Sequence, residues 1–113
     1  MPELPEVETT RRGIEPHILD RRVSAVTVHQ PSLRYPVADD LPRRISGRTV
    51  RSVTRRGKYL LLDIGEQTLM IHLGMSGSLR ITARKEPLRK HDHIEIRFGD
   101  RVLRFHDPRR FGL

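Results

Sequence analysis

The chain contains no cysteine, which excludes two frameworks at once: no disulfide can staple the fold, and no thiolate can ligate a metal. Any metal site would have to be built from histidine and carboxylate. Tryptophan is missing too, and the five aromatic residues, Tyr35, Tyr59, Phe98, Phe105 and Phe111, are too few for a platform on which splayed single-stranded bases could stack. No apolar run approaches the roughly 20 residues that cross a bilayer as a helix, and the N-terminus lacks the apolar core of a secretory signal. A cytoplasmic protein with no membrane partner is therefore expected. There is no internal repeat and no low-complexity segment, and 113 residues imply one domain with a modest core.

Positive charge is what the chain has in excess. Lys and Arg total 22 against 14 Asp and Glu, a formal net charge of +8, and such an excess points to a polyanionic partner. All the basic residues except Lys58, Lys85 and Lys90 are arginines, whose planar fork suits phosphate. A GC-rich genome would give the same bias, so the bias alone decides nothing. With so few aromatics, binding of duplex through its phosphates is the better expectation.

The opening residues, Met1-Pro2-Glu3-Leu4-Pro5-Glu6-Val7-Glu8, place a proline where a mature N-terminus would be. Removal of Met1 leaves Pro2 as a free secondary amine, and an amine, unlike an amide, is a nucleophile. Amines attack carbonyl-like carbons to form Schiff bases. A secondary amine gives an iminium that is charged at any pH, an electron sink suited to elimination. Glu3 beside it and Glu6 one turn along a helix are placed to pass protons to a reacting sugar. The plainer reading is structural: Pro5 is a first-turn helix proline, and Glu6 and Glu8 are acids favoured at a helix N-terminus.

Leu4, Val7, Ile14 and Ile18 fall at helical spacing, broken by Arg11, so a helix is predicted from near Pro5, ended or kinked by Gly13 and Pro16. Glu8 and Arg12 form an i,i+4 pair on its exposed face. Val23 to Val28 reads as a strand, a loop with Pro31 and Pro36 follows, and Asp39 to Ile45 predicts a short helix closed by Gly47. Beyond it the period changes to two. Strands are predicted at Val50 to Arg55, Tyr59 to Ile64, Thr68 to Leu73, Ser78 to Thr82, His93 to Phe98 and Arg101 to His106, with turns at Gly57, Gly65, Gly77 and Gly99. The class is mostly β (α+β): an antiparallel β-sandwich or flattened barrel with an N-terminal helix.

Further segments bear on chemistry. Arg55-Arg56-Gly57-Lys58-Tyr59 is a basic turn, in the plain reading a solvated hairpin loop. Ile71-His72-Leu73-Gly74-Met75-Ser76-Gly77 runs a strand into a glycine turn carrying a methionine. Such a residue is a common gap filler, but it is also a wedge of the kind that fills the hole left by a flipped base. Lys90-His91-Asp92-His93 and His106-Asp107-Pro108-Arg109-Arg110-Phe111-Gly112 bring three histidines and two aspartates that could be read as a Zn or Fe site, with no fixed third ligand evident.

Taken together, Pro2-Glu3-Leu4-Pro5-Glu6-Val7-Glu8-Thr9 with Arg11-Arg12-Gly13, the Lys58 turn, the His72 to Gly77 segment and Asp107-Pro108-Arg109-Arg110-Phe111-Gly112 resemble, in order and across the whole chain, the bacterial formamidopyrimidine-DNA glycosylases. The endonuclease VIII branch shares the Pro-Glu start but has Gly in place of Leu4. The resemblance implies base-excision repair of oxidised purines by a bifunctional glycosylase and abasic-site lyase, acting through a Pro2 Schiff base with β,δ-elimination. It implies a monomer bound to duplex DNA carrying oxidised purines or abasic sites. It assigns Lys58 to a phosphate near the scissile sugar and to assisting elimination, and His72 and His91 to DNA contacts. Met75 would fill the vacated hole, Arg109 would contact the base opposite the lesion, and Phe111 would wedge the neighbouring step. No cofactor is implied for residues 1–113. The family continues into a helix-two-turn-helix module and a four-cysteine finger with one structural zinc, so a chain stopping at Leu113 reads as an N-terminal catalytic domain with little excision activity by itself. The rival expectations are a non-catalytic basic DNA-binding module and a histidine-dependent metal protein.

Overall fold

The computed structural model describes residues 4–29, 40–73 and 77–107. The order of elements is α1 (Leu4–Ile18), β1 (Ala25–Val28), α2 (Leu41–Ile45), β2 (Ser52–Arg56), β3 (Tyr59–Asp63), β4 (Thr68–His72), β5 (Ser78–Ala83), β6 (Asp92–Phe98) and β7 (Arg101–His106). The strands form two antiparallel sheets, ordered β1-β6-β7-β5 and β2-β3-β4. Among the described residues the sheets are not joined into a barrel, so the sandwich alternative is the one realised.

Alternation explains the main core. Val53 in β2, Leu62 and Ile64 from β3 and its turn, and Ile96, Phe98 and Leu103 from β6 and β7 meet Ile14 and Ile18 of α1 in one buried cluster. Helix α1 packs on β2, β3 and β5, bridging the two sheets.

The helix corrects the expected stop, because it continues through Gly13 and Pro16 to Ile18. An interior Gly and Pro together cost about 4 kcal/mol of helix propensity. Burying Ile14 and Ile18, which are 3% and 0% exposed, returns about 1.5–3 kcal/mol each. Beyond the proline the Leu19 amide still donates to the Glu15 carbonyl at 2.9 Å. Arg11, which interrupts the apolar stripe, is accommodated by hydrogen bonds to Glu8, Glu15 and the Val53 carbonyl.

The four-stranded sheet also buries charge. Arg80, Arg104 and Glu95 lie opposite one another across β5, β7 and β6. Arg104, 2% exposed, donates to Glu95 at 3.0 Å and to the carbonyls of Glu86 and Pro87 at 2.7 and 3.2 Å. Burial pushes the Glu95 carboxyl up, but His29 and Arg104 outweigh it and hold the group below the usual range. The segment before β6 is thereby strapped over the outer sheet face, which explains why β6 is buried on both sides.

Candidate functional site

Val7 near the start of α1, Leu60 in β3 and Leu73 just past β4 form a second, smaller buried cluster, with Ile71, Leu79 and Phe105 packed against it. Each of these residues is a short step from a sequence-predicted site residue. Glu6 precedes Val7, Lys58 lies shortly before Leu60, His72 precedes Leu73, and Phe105 leads into His106 and Asp107. Apolar burial therefore gathers chain segments remote in sequence to one end of the sandwich.

Glu8 binds the helix to this end. Its carboxylate accepts from Arg11 at 2.9 and 2.7 Å, from Arg12 at 2.9 Å and from Arg55 of β2 at 3.3 Å. The Arg11 hydrogen bonds above all lower the Glu8 pKa to about 2, with Arg12 and Arg55 adding to the effect, against a desolvation that pushes it up. Arg55 also donates from Nη1 to the Gly57 carbonyl at 3.0 Å. Gly57 has φ +61°, a left-handed conformation that costs a side-chain-bearing residue strain, and it sets the turn that presents Lys58.

At the neighbouring sheet end, Asp92 organises a polar knot. Its buried carboxylate accepts a bidentate pair from Arg80 at 2.8 and 2.6 Å, the Arg89 amide at 2.8 Å and His106 Nδ1 at 3.0 Å. Burial works to raise this carboxyl, but Arg80, the Arg89 amide and His106 prevail and hold it well below the usual carboxylate range. His91 precedes it with φ +72°. The Asp107 amide donates to the His91 carbonyl at 3.1 Å, and His93 Nε2 lies 2.6 Å from the Asp107 carbonyl oxygen. A carbonyl only accepts, so His93 Nε2 carries the proton.

Glu6 is exposed in the first turn of α1, and Lys58 is exposed in the β2–β3 turn. His72 is half-buried, pairs in register with Tyr59, and its ring lies 4.8 Å from the tyrosine ring. The His91 ring is 6.1 Å from those of His93 and His106. Among the described residues no group of three or more His, Asp or Glu is arranged to hold a metal ion. His93 and His106 instead bond to Asp107 and Asp92.

Pro2, Glu3, Met75, Arg109 and Phe111 lie outside the described residues. The described flanks of Met75 on one side and of Arg109 and Phe111 on the other are neighbours, since Ser78 pairs with His106. Gly77 donates its amide to the Leu73 carbonyl at 2.8 Å, and a Cβ there would collide with that same oxygen. Residues 74–76 are thus bracketed by a closure that requires glycine.

Several residues at this end escaped the sequence reading or were read otherwise. Glu8 was visible as a helix acid paired with Arg12, but its tie to Arg55 is a tertiary contact. Asp92, His93 and Asp107 were weighed as metal ligands, when Asp92 binds Arg80, the Arg89 amide and His106, and His93 bonds to the Asp107 carbonyl. An acid buried within a predicted strand edge beside a basic strand was the available signal.

The four-stranded and three-stranded sheets with the bridging helix are the architecture of DNA-bound repair glycosylases. The chain superposes with a TM-score of 0.89 at 36% identity on the Lactococcus lactis Fpg in complex with abasic-site DNA, covering 97% of this chain and 42% of that one. It superposes with a TM-score of 0.88, also at 36% identity, on the same organism's Fpg (MutM) with FAPY-dG DNA, covering 96% of this chain and 42% of that one. The family model of the formamidopyrimidine-DNA glycosylase N-terminal domain matches residues 1–113. The chain belongs to this family. It is 61% identical to the formamidopyrimidine-DNA glycosylase of Methylococcus capsulatus and 58% identical to that of Hahella chejuensis, in each case over 99% of this chain and 42% of the relative. It therefore spans about two fifths of the length of those relatives.

Proposed function

We propose that this domain carries the nucleophile of a DNA glycosylase and abasic-site lyase acting in base-excision repair of oxidised purines, on duplex DNA, as a monomer in the cytoplasm. The supporting observation is the convergence of the Glu6, Lys58, His72 and Asp107 segments on the Val7-Leu60-Leu73 cluster, in a family whose DNA-bound members share this fold.

The chemistry proceeds from the amine. Pro2 nitrogen attacks the anomeric carbon of the damaged nucleoside, and the base departs with the electron pair of its glycosidic bond and takes up the proton that the amine loses. Glu3 delivers a proton to the ring oxygen as the sugar opens, leaving an iminium between Pro2 and the former anomeric carbon. That cation acidifies the adjacent C–H, so loss of a proton expels the 3′ phosphate. A second elimination along the conjugated chain expels the 5′ phosphate, and water hydrolyses the remaining iminium to return the amine. Glu6 assists the proton transfers. Lys58 holds a phosphate beside the scissile sugar and favours its departure as an anion. His72 and His91 add DNA contacts, Met75 fills the vacated hole, Arg109 contacts the base opposite, and Phe111 wedges the next step.

The test is a duplex containing one abasic site incubated with the chain. Cleavage leaving phosphate on both sides of a one-nucleotide gap is expected from successive eliminations. Duplex binding without cleavage would favour the non-catalytic DNA-binding module.

A further inference from the structure

We propose that Glu8 and Arg55 are positioning residues for Lys58, acting as a brace that fixes the basic turn to helix α1, which follows Pro2 closely in the sequence. The inference rests on the reading of Lys58 as a phosphate-contacting residue.

The brace is continuous. Glu8, four residues along α1 from its start, accepts from Arg55 Nε at 3.3 Å, and the same guanidinium donates from Nη1 to the Gly57 carbonyl at 3.0 Å. One planar fork thus spans from the helix to the residue before Lys58. Arg11 completes the attachment from the other side, since it binds Glu8 and also the Val53 carbonyl of β2 at 3.2 Å. The β2–β3 hairpin is laddered in register from Ser52–Asp63 to Arg56–Tyr59, and β3 pairs in turn with β4, but strand pairing by itself does not fix how a hairpin tip stands relative to a helix. Arg55 and Glu8 are 30% and 26% exposed in their side chains. The pair is therefore half-buried, where a carboxylate that keeps its charge is a stable anchor, and Glu8 keeps its charge down to about pH 2. Lysine in place of Arg55 would supply the charge without the fork, and a point charge cannot reach both acceptors at once.

A purely electrostatic role predicts the opposite sign to a positioning role. Replacing Glu8 by Gln removes a negative charge beside a polyanion-binding surface, so charge alone would tighten duplex binding. Loss of the brace would instead release the Lys58 turn and weaken it.

The experiment measures binding of the chain to a duplex with a tetrahydrofuran abasic analogue over a salt series, for Glu8→Gln, Arg55→Lys and Lys58→Ala, and for the first two combined with Lys58→Ala. Thermal unfolding of each variant establishes that it is folded. Glu8→Gln and Arg55→Lys are each expected to weaken binding by roughly five- to tenfold near 0.1 M salt and to lower the log–log salt slope by up to about 0.9, one phosphate contact. Neither should weaken it further once Lys58 is gone, and Glu8→Gln should then tighten it. Equal weakening with and without Lys58, or tighter binding by Glu8→Gln with Lys58 present, overturns the brace while leaving the assignment of Lys58 intact. No effect of Lys58→Ala overturns that assignment, and the brace with it.

Discussion

His93 Nε2 lies 2.6 Å from the carbonyl oxygen of Asp107, while the amide of Asp107 donates to the carbonyl of His91. Both backbone groups of the residue that leads into Pro108 and Arg109 are therefore held by the segment that begins β6. His93 and Asp107 are only 6% and 8% exposed, so the bond between them is shielded from water. His93→Phe should cost about 0.5–1.5 kcal/mol, the net loss of one hydrogen bond, and lower the melting temperature by roughly 4–8 °C per kcal/mol for a domain of this size. Duplex affinity measured below the new melting point should fall more than single-strand affinity. A variant that melts lower but binds duplex unchanged would limit His93 to a structural role.

Asp92 gives a pH prediction. Its carboxyl is held below the usual range in the folded chain by Arg80, the Arg89 amide and His106, against the opposing effect of burial. The contribution of such a group is fully present above its unfolded pKa and is lost as pH falls through the folded value. Glu8 behaves alike, between its ordinary 4.5 and about 2. Urea midpoints should therefore hold above about pH 5 and fall steadily toward pH 2. Asp92→Asn should cost about 3 kcal/mol at neutral pH, because Arg80 loses a partner in a largely buried pair, and its acid limb should be flatter.

Two glycines should respond with opposite signs to alanine. Gly13 lies in α1 with nothing within 4 Å of a built Cβ, so Gly13→Ala should stabilise the chain by about 0.5–1 kcal/mol. At Gly77 the Cβ would meet the Leu73 carbonyl and crowd the Phe105 ring, so Gly77→Ala should destabilise the chain and weaken duplex binding through the Met75 segment. Parallel thermal melts of the two variants decide the matter.

Residues 1–113 by themselves should bind duplex weakly and excise oxidised guanine poorly. A nucleophile misplaced by about an ångström can lose on the order of a hundredfold in rate, and flipping a base costs a few kcal/mol that contacts on both sides of the duplex must return. Side-by-side assays with the full-length Methylococcus capsulatus relative should show excision more than tenfold slower, while attack on abasic DNA, which needs no flipping, survives better. Excision within tenfold would show that contacts beyond this domain are dispensable.

Much of the fold was legible because local pattern and tertiary burial agree. The alternation at Tyr59 to Ile64 and Arg101 to His106 gave β3 and β7 to within a residue. It failed where tertiary burial overrode local chemistry. Gly13 and Pro16 signal a helix stop that Ile14 and Ile18 override by packing. Of the site, Lys58 and His72 were readable as motif positions, and the structure brings their strand ends together through the Tyr59–His72 pair. Glu8–Arg55 and His93–Asp107 were not readable, since their partners are 47 and 14 residues apart and periodicity carries no information on contacts between elements.

The most direct measurement of the central claim is borohydride trapping on an abasic duplex followed by peptide mapping of the adduct. The account predicts a reduced sugar adduct on the amine of Pro2 in chains that have lost Met1, and none in chains that retain it. An adduct of equal yield in Met1-retaining chains, or one mapped to Lys58, would contradict it.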